Sequence, residues 1–464
     1  MDIGELLSRP DEVARLAAVL GDAARVSYAP PNIYPMAAPL LSAGGDCLRR
    51  QPGERELGIY VHVPYCNYSC TFCFYATRLT PQPEEMQRYV RALTRELAWV
   101  TPGMRLSQLY VGGGTPTTLP PALLDELLAA VCERMTPRGR DVHTVETSPE
   151  SLTPEHAAVL QARGIERVSM GIQSLSGGVL DVVKRRHAAE QALAACDLLV
   201  SAGFVVNVDL IYGLPGQTHD SFRRDLETLA ARGVQSITTY NLRVNERTPV
   251  GRSLEEHERL DLPALIRWRA MIRTTVDSMG FEPLRWHTFR RKLTPETAAT
   301  AAGRFLDLTG RGNQFGAGVS ARSRLESCVY RNHPSYDMYL ARVESGENPV
   351  HETKVLSETE RRLRYVALTL GDGHPLVLAE YSAEFGSEFA DDFSEAAGQL
   401  EAAGLIRDEG QRLVMTAAGE LVYDLVTRAF YPNPVRRWLD ERQQLAHTAA
   451  NLHPRQRPRE AAPL

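Results

Sequence analysis

The sequence predicts an α/β protein: an open, partial (β/α)6 barrel followed by a smaller C-terminal domain of helical, winged-helix-like type. Three observations predict it. Short apolar runs alternate with amphipathic stretches six times between residues 58 and 241, which implies parallel strands joined by crossover helices. That alternation fades after Pro249. From Leu356, two or three helical stretches lead into a short hairpin, Leu405-Ile-Arg-Asp-Glu-Gly-Gln-Arg-Leu-Val-Met, and Thr416-Ala-Ala-Gly-Glu opens another helix.

Residues 1–50 read as an N-terminal extension, with a short helix from Glu12 to Leu20 and a Pro-rich approach, Ala29-Pro-Pro-Asn-Ile-Tyr-Pro. The barrel occupies 51–250. Its strands are predicted at 58–63, 107–112, 142–147, 167–173, 204–211 and 235–241, and its helices at 83–100, 121–134, 153–163, 187–202 and 218–232. An extension of the barrel follows at 251–350. Residues 255–280 are helical in pattern, Phe281 to Thr288 reads as one more strand, and 298–350 as Gly-rich turns around Gly310, Gly312, Gly316 and Gly318. The C-terminal domain spans 351–440. Its basic cluster, Arg361-Arg-Leu-Arg364, alternates with apolar residues and reads as a solvated helix face. The Pro-rich, charged stretch 441–464 has a disordered composition.

Length and composition narrow the function. The chain has 464 residues, 43% of them apolar, and a net charge of −5, which gives no bulk attraction to nucleic acid. The N-terminus lacks a secretory leader pattern and no apolar run reaches membrane-spanning length, so a soluble cytoplasmic protein without membrane or nucleic-acid partners is expected. Of seven cysteines, Cys47, Cys132, Cys196 and Cys328 are scattered and read as buried thiols rather than a disulfide framework.

The other three define the chemistry. Cys66, Cys70 and Cys73 lie in Tyr60-Val-His-Val-Pro-Tyr-Cys-Asn-Tyr-Ser-Cys-Thr-Phe-Cys-Phe-Tyr75, directly after the first strand, where parallel barrels carry their active sites. Thiolates spaced C-x₃-C-x₂-C converge on one metal centre and leave one coordination position for a non-protein ligand. Tyr65, Tyr68, Phe72, Phe74 and Tyr75 are expected to keep water from it. Zinc is the plainer alternative, with His62 or a distant histidine as fourth ligand. Gly112-Gly-Gly-Thr-Pro-Thr117 follows the second strand without the Lys of a phosphate loop. Glu146 ends the third strand, Gln173 the fourth, and Asp209 is a charge in an otherwise apolar strand, which calls for a partner or ligand.

These motifs, in this order, resemble the radical S-adenosylmethionine (SAM) superfamily, within it the HemN-like branch of oxygen-independent coproporphyrinogen dehydrogenase and its relatives. The resemblance runs from about residue 57 to about residue 430. It implies a radical SAM barrel with a [4Fe-4S] cluster on Cys66, Cys70 and Cys73. The amino and carboxylate groups of SAM would chelate the fourth iron, and an external electron donor (flavodoxin or ferredoxin) would supply the electron that cleaves SAM. By resemblance, Tyr60, Gly113, Gly114, Thr115, Glu146, Gln173, Arg185 and Asp209 bind that SAM, with Arg186 the neighbouring rival of Arg185. Gly318, Val319, Ser320 and Ala321 match a loop that helps hold a second SAM molecule. The C-terminal domain is then a lid rather than a DNA reader.

Within the branch, the chain departs from the porphyrinogen enzymes. Tyr75 stands where they carry a fourth cysteine, Phe305-Leu-Asp-Leu-Thr-Gly-Arg-Gly-Asn-Gln-Phe315 replaces a Phe-Gln-Gly-Tyr-Thr-Thr motif, and their cationic contacts to propionates are not recognisable. Asn67-Tyr-Ser69 lacks the Lys usual in haem chaperones. Cys-Thr-Phe-Cys-Phe-Tyr-Ala-Thr-Arg is more similar to the class C radical SAM methyltransferases. That resemblance implies C-methylation or cyclisation at an sp² carbon of a small or peptide-derived natural-product intermediate. Tyr240 and His287 are the candidate catalytic residues at the barrel mouth, with His287 as the base that takes the substrate proton.

Overall fold

The computed structural model describes residues 57–100, 104–133, 142–244, 248–254, 259–295, 312–325 and 328–433, with short pieces at 11, 14–15, 41–42, 136–137 and 436. The expected helix from Glu12 to Leu20, the Pro-rich approach, Cys47, the stretch from Phe305 to Gly310 and the tail lie outside the described residues, wholly or for the most part.

Six strands form the barrel: β1 (Leu57–Val63), β2 (Arg105–Gly113), β3 (Thr144–Thr147), β4 (Arg167–Gln173), β5 (Val205–Tyr212) and β6 (Ser236–Asn241). They pair in parallel in that order. Between them run α1 (Pro83–Leu97), α2 (Pro121–Cys132), α3 (Pro154–Ala162), α4 (Gly177–Val182), α5 (Ala189–Ser201) and α6 (His219–Ala231). The helix starts follow their sequences. Pro occupies the first turn of α1, α2 and α3, where its missing N–H costs nothing. Thr218 caps α6 through a reciprocal bond with Ser221.

Strand alternation decides what the barrel encloses. Ile59, Leu109, Val145, Val168, Val208 and Ile237 are buried against the helices. The opposite parity is polar and in register: Tyr60 beside Tyr110, Tyr110 beside Thr144, Thr144 beside Arg167, Ser169 beside Asn207, and Asp209 beside Thr238. A strand buried on both faces would carry apolar residues at both parities. These line a polar lumen instead.

After β6 come α7 (Pro249–Ser253) and α8 (Leu262–Ser278). The single strand expected from Phe281 to Thr288 is a hairpin, β7 (Phe281–Arg285) and β8 (Thr288–Arg291), with Arg285-Trp-His287 at its turn. The region read as Gly-rich turns is more ordered than expected. It contains β9 (Gln314–Ala317), β10 (Arg322–Leu325), β11 (Cys328–Asn332), α9 (Tyr336–Glu344) and β12 (Val350–Val355). β9 adds to β1 in parallel, and β10 to β12 continue antiparallel. Runs of four or five residues hold too few apolar repeats to announce strands. Gly316 is a packing requirement: a Cβ there would lie 2.3 Å from the Arg322 carbonyl oxygen.

The C-terminal domain comprises α10 (Glu358–Gly371), β13 (Leu376–Val377), α11 (Leu378–Phe385), α12 (Phe389–Ala402), β14 (Ile406–Asp408), β15 (Arg412–Met415), α13 (Ala417–Glu420) and α14 (Tyr423–Ala429). Its strands form the small sheet β13–β15–β14, the wing the sequence predicts. Two contacts fix it on the barrel. Arg269 of α8 pairs with Asp424 of α14 at 2.9 Å, both side chains under 10% exposed. The Trp286 indole donates to the Leu370 carbonyl at 2.8 Å. The solvated face expected of Arg361–Arg364 needs correcting. Arg361 and Arg362 do meet Glu384 and Asp392 on the outside. Arg364 is half-buried, and burial lowers its pKa to about 9 with Arg324 adding to the shift. No helix among the described residues is long and apolar enough to cross a membrane.

Candidate active site

The cysteine loop is a strap laid over the C-terminal end of β1. The Arg78 N–H donates to Pro64 O at 2.6 Å, Thr80 to Cys66 O at 3.0 Å, and Thr71 to Val183 O at 3.1 Å. The glycine turn after β2 is joined to it: Gly114 N–H donates to Val63 O and Thr115 N–H to Tyr65 O, both at 2.8 Å. Gly114 permits this approach, since a Cβ would stand 2.5 Å from Tyr65 O and 3.0 Å from the Cys66 sulfur. With the Gly113 N–H donated to Glu146 at 3.1 Å, the turn's donors are engaged within the protein. What it presents to a ligand amino group is carbonyl oxygen.

Burial raises the Cys66 thiol to about 12, with Cys73 and Cys70 adding to the shift and Thr115 and Arg185 opposing it. Burial likewise raises Cys73. Such thiols are inert as nucleophiles and lose their protons to a bound metal. Zinc fits poorly. Among the described residues no three His, Cys, Asp or Glu side chains, the three cysteines included, stand as a preformed metal site, so the fourth ligand is what separates zinc from a cluster. His62, its candidate fourth ligand, has both ring nitrogens occupied, by the Tyr60 hydroxyl at 3.0 Å and Ala76 O at 3.3 Å. The aromatic shield is half of what the sequence suggests. Tyr65 and Tyr68 are buried, but Phe74 and Tyr75 stack on each other and stand 41% and 60% exposed.

The SAM residues implied by resemblance surround this loop. Glu146 accepts from the Tyr110 hydroxyl at 2.6 Å, and burial lifts its pKa to about 7. Asp209 accepts from Ser169 and Asn207, each at 2.9 Å, and burial raises it as well. Arg185 lies over the loop, its Nη1 3.6 Å from the Cys70 sulfur, while its buried Nε has no hydrogen-bond partner. Both arginines lie over the Tyr68 ring; Arg186 is exposed, and Arg185 is the one whose guanidinium reaches the Cys70 sulfur. Gln173 holds a left-handed φ of 71° beside Gly171. A cluster on the three thiols, with an amino acid carboxylate reaching Arg185, fits these residues. When bound, the cluster and SAM supply a 5′-deoxyadenosyl radical; the protein's part is to hold them and the substrate in a dry, oriented lumen.

The loop from Gly318 to Ala321 also sits at this end of the barrel. The Gly318 N–H donates to Glu96 at 2.8 Å, Val319 N–H to the Tyr89 hydroxyl at 3.0 Å, and Ser320 N–H to His333 O at 3.0 Å. Tyr89 in turn donates to His62 O at 2.8 Å. The loop is thus clamped by α1 to β1.

Tyr240 is 42% exposed, yet burial is the largest influence raising its pKa, followed by Asp209, Tyr75 and Glu146. Tyr240 thus stands at the mouth of the lumen, within reach of those charges. His287 is 5.7 Å from the Tyr240 ring and 6.1 Å from Tyr423. Its expected role as base is not supported by that setting. Burial, then Arg285, Arg243 and Arg269, hold it down at about 3, so it accepts a proton poorly near neutrality. The sequence reading missed Tyr110 and Arg167, which complete the lumen wall. Their signal is parity alone, with Tyr110 one strand removed from Glu146 and Arg167 one strand removed from Asp209.

Comparison with known proteins bears on both parts of the chain. The model for the radical SAM superfamily matches residues 60–229, and that for the HemN C-terminal domain matches 356–422. The chain carries a radical SAM domain and a HemN C-terminal domain. Its cofactors are accordingly a [4Fe-4S] cluster and SAM. The haem chaperone HemW of Mycobacterium tuberculosis is 28% identical over 389 residues, 82% of this chain and 96% of that protein. The oxygen-independent coproporphyrinogen III oxidase of Escherichia coli is 27% identical over 393 residues, 81% of this chain and 86% of that one. The solved structure of Escherichia coli HemN superposes with a TM-score of 0.73 at 24% identity, covering 84% of this chain and 93% of HemN, which is a likeness of fold.

Proposed function

We propose that this protein is a radical SAM enzyme acting on a tetrapyrrole held in the barrel lumen. The observation that carries the reading is the reach of the likeness. Both the oxidase and the haem chaperone are matched through barrel and C-terminal domain alike, over 86% and 96% of their lengths. A shared radical SAM core would account only for the barrel. The half-exposed Tyr240 and Tyr75 in a polar cavity leave room for a planar, amphipathic ligand. Tyr75 in place of a fourth cysteine argues that the reaction differs from that of the porphyrinogen oxidases.

Anaerobically reconstituted protein should bind coproporphyrinogen III, coproporphyrin III or haem, and the productive one should raise 5′-deoxyadenosine formation above the rate without substrate. If none of the three binds or alters SAM cleavage, the reading fails.

The class C methyltransferase reading is retained for one observation, the Cys-Thr-Phe-Cys-Phe-Tyr stretch with its exposed Tyr75. The relatives lend it no support. Methyl-trideuterated SAM separates the two: deuterium in 5′-deoxyadenosine, with S-adenosylhomocysteine in comparable amount, marks methyl transfer. Hydrogen taken from the tetrapyrrole leaves deoxyadenosine unlabelled.

A further inference from the structure

One turn that no motif singles out touches three of the elements around the cofactor end. It follows β3, from Ser148 to Ser151, and carries Glu150. Buried hydroxyls tie it to the glycine turn: Thr117 Oγ1 lies 2.7 Å from Thr147 Oγ1 and 2.6 Å from Ser151 Oγ, and Ser148 Oγ lies 2.9 Å from Ser151 Oγ. From this base Glu150 reaches the cysteine loop, where one carboxylate oxygen accepts from the Tyr68 hydroxyl at 2.7 Å. The other oxygen stands 3.6 Å from Nδ1 of His187, in the segment that follows α4. The His187 side chain is fully buried and, among the described residues, makes no hydrogen bond at either ring nitrogen; its ion-pair contact is to Glu150. Tyr68 is buried, and its ring is the platform for Arg185, whose guanidinium carbon lies 5.7 Å from the ring centroid. Arg185 Nη1 is in turn 3.6 Å from the Cys70 sulfur. Burial alone would raise the Glu150 carboxyl, but His187, Arg185 and Tyr68 outweigh it and hold it at about 2, so it is ionised near neutrality.

We propose that Glu150 is a positioning residue of the cofactor end: through the Tyr68 hydroxyl it fixes the ring on which Arg185 lies, and so holds that guanidinium between Cys70 and the SAM carboxylate. Cluster and SAM are common to every reading of the substrate, so this role does not depend on the tetrapyrrole. The arginine stem is flexible, and its planar head keeps one orientation only where a surface holds it. A ring anchored at its hydroxyl is such a surface, and a bond to an ionised acceptor is about twice as strong as a neutral one. Partners of this kind, behind the groups that meet a metal centre, orient them and tune the centre. A donor held near a cluster sulfur draws electron density from it and raises the reduction potential. Glu150 therefore acts through Tyr68 and Arg185 on two quantities, SAM affinity and cluster potential.

The test measures three properties of the anaerobically reconstituted protein: iron content, SAM affinity by equilibrium dialysis, and cluster midpoint potential by a titration followed by electron paramagnetic resonance. Glu150→Ala and Tyr68→Phe should each keep the iron, weaken SAM binding by roughly 10-fold, the loss of one charged hydrogen bond, and shift the potential to more negative values. The double variant should be no weaker than either single, because both remove the same link. Glu150→Gln keeps an acceptor for the Tyr68 hydroxyl and should fall between Glu150→Ala and the wild type. Tyr68→Phe removes one oxygen atom, so it decides the matter even where Glu150→Ala fails to fold. Where Arg185→Ala weakens SAM binding, an unchanged affinity in Tyr68→Phe, or effects that add in the double variant, overturns the role of Glu150. Where Arg185→Ala leaves SAM binding unaltered, the pairing of that arginine with the SAM carboxylate falls, and the potential judges the link from Glu150 to Cys70 alone: a negative shift in Tyr68→Phe upholds it and no shift refutes it.

Discussion

Glu96 should make the protein lose stability as pH rises towards neutrality, and Glu96→Gln should remove that dependence. The carboxylate is 1% exposed on α1. It accepts from the Gly318 N–H at 2.8 Å, the Tyr339 hydroxyl at 2.6 Å and the Asn332 amide at 2.5 Å. These bonds favour the ionised form, but burial outweighs them and sets the pKa at about 7 against the ordinary 4.5. Between those values the folded chain keeps a proton that the unfolded chain has released. The folded state binds more protons, so its stability falls as pH rises, and the advantage present below 4.5 is gone above 7. The shift of about 2.5 units corresponds to about 3 kcal/mol. With an unfolding entropy of about 2.1 cal/mol/K per residue, 464 residues convert this to a melting-temperature change of about 3 °C. Glu146 is raised in the same range and adds its own slope, so the informative quantity is the difference between wild type and Glu96→Gln. Gln cannot accept all three bonds, which subtracts about 1 kcal/mol at every pH. Anaerobic melts from pH 5 to 8 should show the wild type losing about 3 °C relative to the variant. A difference that stays flat across that range refutes the assignment.

Alanine at Cys66, Cys70 and Cys73 together should abolish both the roughly four irons of the reconstituted protein and SAM cleavage, since the cluster has no other protein ligand in the three-thiolate motif; full iron retention would reassign the ligands. Asp209→Ala and Glu146→Ala should raise the SAM concentration needed for half-maximal deoxyadenosine formation while sparing iron content. Unchanged SAM dependence in both would show that these carboxylates serve the lumen wall only. Asp424→Ala leaves Arg269 buried without its carboxylate and should cost about 3–5 kcal/mol in urea unfolding, a loss that Arg269→Met with Asp424→Leu largely restores.

What could be read from the sequence divides along physical lines. The six barrel strands are found within two residues because each is a run of apolar residues in a chain that alternates strand with helix. The cysteine loop and glycine turn are legible because their chemistry depends on local spacing. β9 to β11 were not, since their runs are short and their order comes from pairing with β1 and with each other. The role of His287 also escaped prediction. A histidine at a strand end is a reasonable base until Arg243, Arg269 and Arg285, from three other places in the chain or the same turn, are seen around it.

The basic run of α10 hides its arrangement for a related reason. Arg364 sits two positions from Arg362 on a helix, so about 200° separates them and the two leave the helix on opposite faces. A basic cluster in sequence is thus two surfaces in space. Arg361 and Arg362 make ordinary ion pairs on the outside, which stabilise the protein only weakly. Arg364 lies close enough to Arg324 of β10 for that charge to add to the lowering of its pKa that burial causes. Helix geometry alone could have split the cluster, but the charge near Arg364 comes from β10, an element with no signature of its own. The cofactor end of this barrel is written in contiguous motifs because iron and SAM impose fixed local geometry. The lumen wall is assembled from single residues on different strands, Tyr110 on β2, Arg167 on β4 and Asp209 on β5, so no contiguous motif announces it.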